Sequence, residues 1–321
     1  MDQSLPVWSP QRNGLSLSGL ELWLIDRVAF EVSYLKNMEA VESWNKNMSY
    51  GLLVQAGIEG FIKTRQPRGA AKLIDNTFQK MCREYDDYEE IAWWTGLAQH
   101  QVTTWIDMYA ADLDKYGVTK SEQQHKMNLT LPSGRSIVLN GYLDGEGADI
   151  IMENKCRGEW DEEHIAREID LNLQVNYYTL LYSATYSKLP TKIWYQHIRR
   201  PGGFAYSGPR KKAAESRTEY RGRLVDNINA ERDYHFFRYW VRPDTERFER
   251  YMRGCLYPML EAFLDWYEYM THASRQDEVN KYHWIQPYGL YNPFTEGTQE
   301  RFRNFRLTGS TLGLRQKVAY R

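Results

Sequence analysis

Between Lys126 and Lys155 apolar residues alternate with polar ones, while the segments on either side repeat with a period near 3.6. That change of period constrains the fold more than any other feature. Lys126–Leu131 (KMNLTL) alternates and meets a Pro132-Ser133-Gly134 turn, Ser136–Asp144 (SIVLNGYLD) reads as a second strand, and Asp149–Lys155 (DIIMENK) as a third. The three are expected to be antiparallel. Upstream, Leu20, Trp23, Leu24, Val28 and Leu35 fall at helical spacing in a zone from Ser18 to Thr64. Within it Tyr50–Ile62 is a helix of its own, punctuated by Arg65, Pro67 and Gly69. Asp86–Tyr116 reads as a long helix whose Trp94, Trp105 and Tyr109 suit a core face, and His164–Tyr186 as a further helix. Lys192–Arg199 (KIWYQHIR) returns to strand. Helices, strands, a helix and a strand in that order give an α/β (α+β) chain with helices covering a central sheet.

The expected organisation is a loose arm over 1–14, a core over 15–200 and a basic loop over 201–230. A strand (Asp233–Val241) and a helix to Met270, opened by Asp244, complete the domain over 231–271, and 272–321 is an irregular tail. Composition limits what such a chain does. The 41 Lys+Arg against 42 Asp+Glu exclude a globally basic DNA-coating protein. Three widely spaced cysteines, Cys82, Cys156 and Cys255, exclude a disulfide framework and a four-cysteine cluster within one chain. No apolar run approaches a membrane span and the first residues carry no basic-then-apolar export segment, so the expected location is the cytoplasm. The seven histidines have no zinc-ligand spacing, and neither a Walker loop nor a G-x-S-x-G elbow is present.

The chemistry concentrates in Gly141-Tyr142-Leu143-Asp144-Gly145 and Ile150-Ile151-Met152-Glu153-Asn154-Lys155. Strand side chains alternate faces, so Glu153 and Lys155 share one side, and a short connection brings Asp144 beside them. Two hard carboxylates suit Mg²⁺ or Mn²⁺, and an ammonium next to them can stabilise charge on a phosphate. An exposed strand of alternating charge would give the same letters. The apolar Ile150, Ile151 and Met152 argue against that, because charges in a strand that wants burial need partners.

Through these residues the chain resembles the PD-(D/E)xK nuclease superfamily, in its RecB-like and lambda-exonuclease-like branch. There a hydrophobic strand ends in G-x-[LIV]-D, the next carries [DE]-x-K, and the following helix carries Gln and then Tyr four residues on. Asp144, Glu153, Lys155, Gln174 and Tyr178 stand at those positions. Leu15-Ser16-Leu17-Ser18 resembles the S-x-S start of RecB-like domains, and Gly51–Gln55 their G-x-x-x-H motif. The resemblance covers about residues 15–200. It implies a restriction-endonuclease-like core, a central mixed sheet flanked by helices, with helical N-terminal and C-terminal extensions. It implies Asp144, Glu153, Lys155 and Gln174 as catalytic residues, with Asp144 and Glu153 holding Mg²⁺ or Mn²⁺ and Gln174 near Lys155 or the scissile phosphate. Gln55 and Tyr178 would line the site.

Two departures stand out. Gln55 replaces the motif histidine, and Glu59, one turn on, is a candidate further carboxylate ligand, the alternative being a solvent-facing Glu. Asp26 stands roughly where the first cluster cysteine of some relatives is expected, so no iron–sulfur cluster is expected.

For DNA contacts, Arg199–Arg223 holds eight Lys/Arg, among them Arg199, Arg200, Arg210, Lys211 and Lys212, against two acids. Lys63, Arg65, Arg68 and Lys72 form a second basic cluster. Either can equally be a solvated surface. The expected activity is metal-dependent DNA hydrolysis, in the first instance by an exonuclease of phage or prophage recombination. An endonuclease, a helicase-coupled subunit or a non-catalytic DNA-binding module on the same fold are the alternatives. An annealing protein or a helicase is the natural partner and a ring-forming oligomer a possible assembly.

Overall fold

The computed structural model describes residues 8–40, 45–158, 161–201, 215–271 and 314–316. Strand β1 (Leu15–Ser16) runs into α1 (Leu17–Ile25), capped by Ser16 Oγ, which accepts from the Gly19 N–H. Asp26 caps α2 (Arg27–Phe30), which passes through a π turn at Glu31–Leu35 to β2 (Met38–Ala40). Three helices follow, α3 (Lys46–Thr64), α4 (Pro67–Glu84) and α5 (Tyr88–Lys115). Next come β3 (Val118–Lys120), β4 (Gln123–Thr130), β5 (Ser136–Leu143), β6 (Gly145–Gly147) and β7 (Ile150–Arg157). Helices α6 (Glu162–Glu168) and α7 (Leu173–Tyr186) flank a 3₁₀ turn at Ile169–Leu171 and precede β8 (Lys192–Arg199). Beyond these lie α8 (Arg217–Ala230), α9 (Arg232–His235) and β9 (Phe236–Val241). Then come α10 (Thr245–Tyr251), a π turn at Met252–Leu256, α11 (Tyr257–Thr271) and β10 (Leu314–Gln316). The fold is mixed α/β, as expected. No helix among the described residues is long and apolar enough to cross a membrane.

The chain forms two units, residues 1–42, 126–141 and 246–321 in one, and 43–125 with 142–245 in the other. In the first, β1 lies parallel to β5 (Leu15↔Leu139) in a β1-β5-β4 sheet, and β2 pairs antiparallel with β10. Its core is aromatic. Trp8 packs edge-on against Phe30, Tyr34, Phe263 and Tyr267. The described part of the expected loose arm is therefore anchored, since Trp8 is only 1% exposed.

The second unit has three layers around a sheet ordered β3-β6-β7-β8-β9, in which β7 and β8 are parallel and the other pairings antiparallel. Strand β7 has neighbours on both edges, which is why Ile150, Ile151 and Met152 are all buried. Alternation sends Ile150 and Met152 into a core shared with α3, α4, α5 and α8, and Ile151 into one shared with α6 and α7. Glu153 and Lys155 continue the Ile151 side, at the end of the strand.

Several expectations are corrected. The three strands do not form one antiparallel set: the middle one breaks at Asp144, and β6 rather than β5 pairs with β7. Helix α4 occupies a segment read as punctuation. Pro67 sits at its first turn, where a missing N–H costs nothing, and Gly69 is there for packing. A Cβ on Gly69 would meet Thr64 Oγ1 at 2.0 Å and Gly60 O at 2.7 Å. The expected helix over 164–186 is interrupted because Asn172, in extended conformation, uses its Oδ1 to accept from the Gln174 and Val175 N–H groups and starts α7 afresh. Residues 217–230 of the expected basic loop are helical, opened by a Ser216/Glu219 capping box. Asp233–His235 are helical rather than strand. Most of the expected tail lies outside the described residues, although 314–316 form a strand.

Candidate active site

Asp144, Glu153, Lys155, Gln174, Gln55 and Tyr178 line one cavity of about 390 Å³ in the second unit, with Asn47, Gly51, Asn154 and Cys156 among its other walls. Each reaches it by a local cause. Asp144 occupies the break between β5 and β6. Gly145, next to it, has no room for a side chain: a Cβ there would meet Met152 Cε at 2.9 Å and Met152 Cβ at 3.1 Å. That close approach sets Asp144 against β7, where its Oδ2 accepts the Asn154 N–H at 2.7 Å. Its own carbonyl accepts from Ser121 Oγ at 2.8 Å.

Glu153 is 3% exposed. Its Oε1 accepts from Lys155 Nζ at 2.9 Å and from Gln174 Nε2 at 2.6 Å. The expectation places Gln174 near Lys155 or the scissile phosphate, and its amide meets the same Glu153 oxygen as Lys155 does. The cap at Asn172 puts Gln174 in the first turn of α7, so the helix start fixes where that amide can reach.

Two carboxylates face one ammonium. Burial and then the Glu153 charge push the Asp144 carboxyl well above the usual range, against the pull of Lys155 and the Asn154 N–H. Burial alone would lower Lys155, but the charges of Glu153 and Asp144 outweigh it and its pKa is raised. Cys156 is pushed up to about 12 by burial, so its thiol is inert at neutral pH. On the neighbouring strand, His197 pairs in register with Lys155. Burial, with Arg157, Lys155 and Arg199 nearby, lowers it to about 3, which keeps it neutral.

The remaining candidates separate into those near the cavity and those used elsewhere. Gln55, on α3, donates from Nε2 to Glu122 Oε1 at 2.9 Å. Glu59 is ion-paired with Lys63 and is not among the cavity walls, so the structure does not bring it to the two carboxylates. Arg65 ends α3 in the left-handed region at φ 56°, and its guanidinium donates to the Val118 carbonyl and approaches Asp114 at 3.6 Å. These contacts tie the end of α3 to β3 and α5. Arg68 is exposed at the start of α4. Arg199 lies 3.8 Å over the Tyr234 ring and donates to the Tyr234 carbonyl. Arg200 is half-buried, close to Cys156 and Tyr50. Within the expected basic segment, Arg223 pairs with Glu215, one of the segment's own two acids, and Arg217 with Glu90 outside it, which removes one charge of the excess. Arg210, Lys211 and Lys212 lie outside the described residues.

Sequence reasoning missed Glu122 and Ser121. They sit in a short turn between β3 and β4, and Glu122 adopts a left-handed conformation at φ 52°. Its partner Gln55 is 67 residues away. No local signal marks such a pair.

Among the described residues no three His, Cys, Asp or Glu side chains gather closely enough to hold a metal by themselves. The donor set nonetheless fits a small divalent cation. Asp144 and Glu153 offer hard oxygens, and their mutual repulsion in a buried wall is what such a cation would relieve. No family model matches the chain, and no curated protein matches it.

Proposed function

We propose that this protein is a Mg²⁺- or Mn²⁺-dependent deoxyribonuclease of the PD-(D/E)xK type, acting on DNA ends. The observation that carries the reading is the charge balance of the cavity. A structural ion pair needs one carboxylate for its lysine, whereas here a second carboxylate, Asp144, lies close enough to the Glu153–Lys155 pair for both charges to act on it, in a cavity whose other walls are uncharged. Excess buried negative charge of this kind is costly unless it serves a ligand.

In this reading Asp144 and Glu153 hold the cation, which when bound polarises a phosphoryl oxygen and lowers the pKa of water. Gln174 fixes one oxygen of Glu153 and so its orientation. Lys155, with its raised pKa, stays protonated at neutral pH. Its role is therefore to neutralise charge on the phosphate rather than to take a proton from water. Water oxygen bonds to phosphorus and gives up a proton to solvent, the bond from phosphorus to the 3′ oxygen breaks, that oxygen takes a proton from solvent, and the products are a 5′-phosphate and a 3′-hydroxyl. Arg68, Arg199 and Arg200 are the candidate contacts to flanking phosphates, and the choice of an end-dependent mode follows the family resemblance.

The test is cleavage of linear DNA labelled separately at its 5′ and 3′ ends, with circular and single-stranded controls, in Mg²⁺, Mn²⁺ or EDTA. Metal-dependent release of label from linear DNA, abolished by Lys155→Ala, supports the reading and gives the polarity. Nicking of circles moves the assignment to an endonuclease. Binding without cleavage in any metal moves it to a DNA-binding module.

A further inference from the structure

The walls of the cavity differ in chemistry on the two faces of β7. Glu153 and Lys155 project to the face that meets Gln174 of α7. Strand alternation turns Asn154 and Cys156 to the opposite face, toward α3. Gly51 of α3 lies over Cys156, where an added Cβ would stand 3.7 Å from the Cys156 Cβ. Met48 and Leu52 belong to the same wall. Among all the cavity walls only Asp144, Glu153 and Lys155 carry charge, so the α3 wall offers no cation to a phosphate. Met48 and Leu52, one helical turn apart, are each 51% exposed and present an apolar surface. Asn154 is the reverse: it is 9% exposed, and neither atom of its amide has a hydrogen-bond partner among the described residues. Its backbone N–H is held by Asp144 Oδ2, which accounts for its place in the strand but not for its side chain. A buried amide without partners is costly, and folded proteins rarely keep one without a use. With no hydrogen bond to give up, it turns toward an entering ligand at little cost. An amide offers a donor and an acceptor side by side, which matches the edge of a nucleobase, whereas a phosphate would use the donor alone.

We propose that the α3 wall of the cavity is a nucleobase subsite, in which Asn154 hydrogen-bonds the edge of the base next to the scissile phosphate and Met48 and Leu52 cover its face. This deepens the nuclease reading above and rests on it. A base inside a duplex has its faces stacked and its Watson–Crick edge paired, so a base held in this way is unpaired and out of the stack. Drawing it out costs least in single strands and frayed ends, which are therefore the preferred substrates over a fully paired duplex. Asn154 is a specificity-determining residue in this arrangement and takes no part in the chemistry.

The test is cleavage in Mn²⁺ of end-labelled oligonucleotides that carry A, C, G, T or an abasic residue next to the cleaved bond, each as a single strand and as a blunt duplex. Wild type is expected to cleave single strands faster, to differ among the four bases, and to lose at least about fivefold in kcat/KM on the abasic substrate, the scale of one base–side chain contact. Asn154→Leu, close in shape, is expected to level the four bases while keeping the abasic loss. It should also melt no lower than wild type, because the amide it removes has no hydrogen bond to lose. Replacing both Met48 and Leu52 by Ser, at exposed positions, is expected to shrink the abasic loss. Should Asn154→Leu fail to fold, Asn154→Ala replaces it. A wild type indifferent to the base or to its absence overturns the subsite and leaves the nuclease reading standing. So does an Asn154 variant that keeps the wild-type preference, or one that melts lower and slows every substrate alike, as a structural residue would. No cleavage of any oligonucleotide in any metal overturns both.

Discussion

Two helical glycines in the second unit should respond to alanine with opposite signs. Gly60, in α3, faces Gly69 of α4 so closely that a Cβ would lie 2.3 Å from the Gly69 carbonyl oxygen and 2.8 Å from its carbon. That is roughly 1 Å inside van der Waals contact. Both groups are backbone, so no rotamer change relieves the clash and the helices must separate. Overpacking costs about 1–3 kcal/mol, and the upper end applies here. Alanine recovers about 1 kcal/mol of helix propensity. The clash wins, and Gly60→Ala should lose about 2 kcal/mol, or about 4 °C in Tm for a chain of this size. Gly222, in α8, has nothing within 4 Å of the same hypothetical atom. There only propensity acts, and Gly222→Ala should gain up to about 1 kcal/mol, or about 2 °C. Thermal unfolding followed by circular dichroism reads both. Shifts in the same direction, or a Gly60→Ala protein as stable as wild type, would refute the packing argument. Because α3 also carries Gln55, Gly60→Ala should in addition slow any metal-dependent activity.

Other perturbations give equally definite outcomes. Asn172→Ala removes the cap that accepts from two N–H groups at the start of α7 and should cost about 1 kcal/mol, with a matching loss of activity as Gln174 loses its position. Unchanged melting would show that α7 is held by packing alone. In EDTA at pH 8, Asp144→Asn should melt above wild type by an amount on the order of 1 kcal/mol while abolishing cleavage. The Asp144 pKa is raised by burial and by Glu153, so in the metal-free fold its cost grows as pH climbs above the unfolded carboxyl range. A less stable variant would contradict that assignment. His235, buried with Nε2 2.9 Å from Asn227 Oδ1, has its pKa lowered to about 4. Above about pH 6.5 folded and unfolded states are both neutral, and below it only the unfolded chain takes the proton. Stability should therefore fall by up to about 1.4 kcal/mol per pH unit between about pH 6.5 and 4, a slope that His235→Gln should reduce in urea titrations. An unaltered slope would mean that other groups dominate.

How much of this was legible beforehand follows from where each signal resides. The Glu153/Lys155 pair could be read because alternation along a strand is strictly local, and Gln174/Tyr178 because helical spacing is. The start of α8 carries a local signal, the Ser216/Glu219 capping box, which the density of Lys and Arg around it masks. Helix α4 was obscured because Pro67 and Gly69 act as breakers in isolation. Only the contact with Gly60 shows why a glycine belongs inside that helix. The break at Asn172 depends on one side chain outcompeting helix continuation, which periodicity does not register. Neither the Gln55–Glu122 bond nor the use of Arg65 against Val118 could be read at all, because each joins elements more than 50 residues apart.

The most direct test is the single-turnover rate of linear DNA cleavage as a function of Mn²⁺ concentration, for wild type, Asp144→Asn and Glu153→Gln. The account predicts a rate that is zero in EDTA and saturates with Mn²⁺ in wild type. Each carboxylate variant should fall by at least about 100-fold, the scale on which a positioned charge-stabilising group acts. Wild-type cleavage that ignores the metal, or carboxylate variants that cleave like wild type, would contradict it.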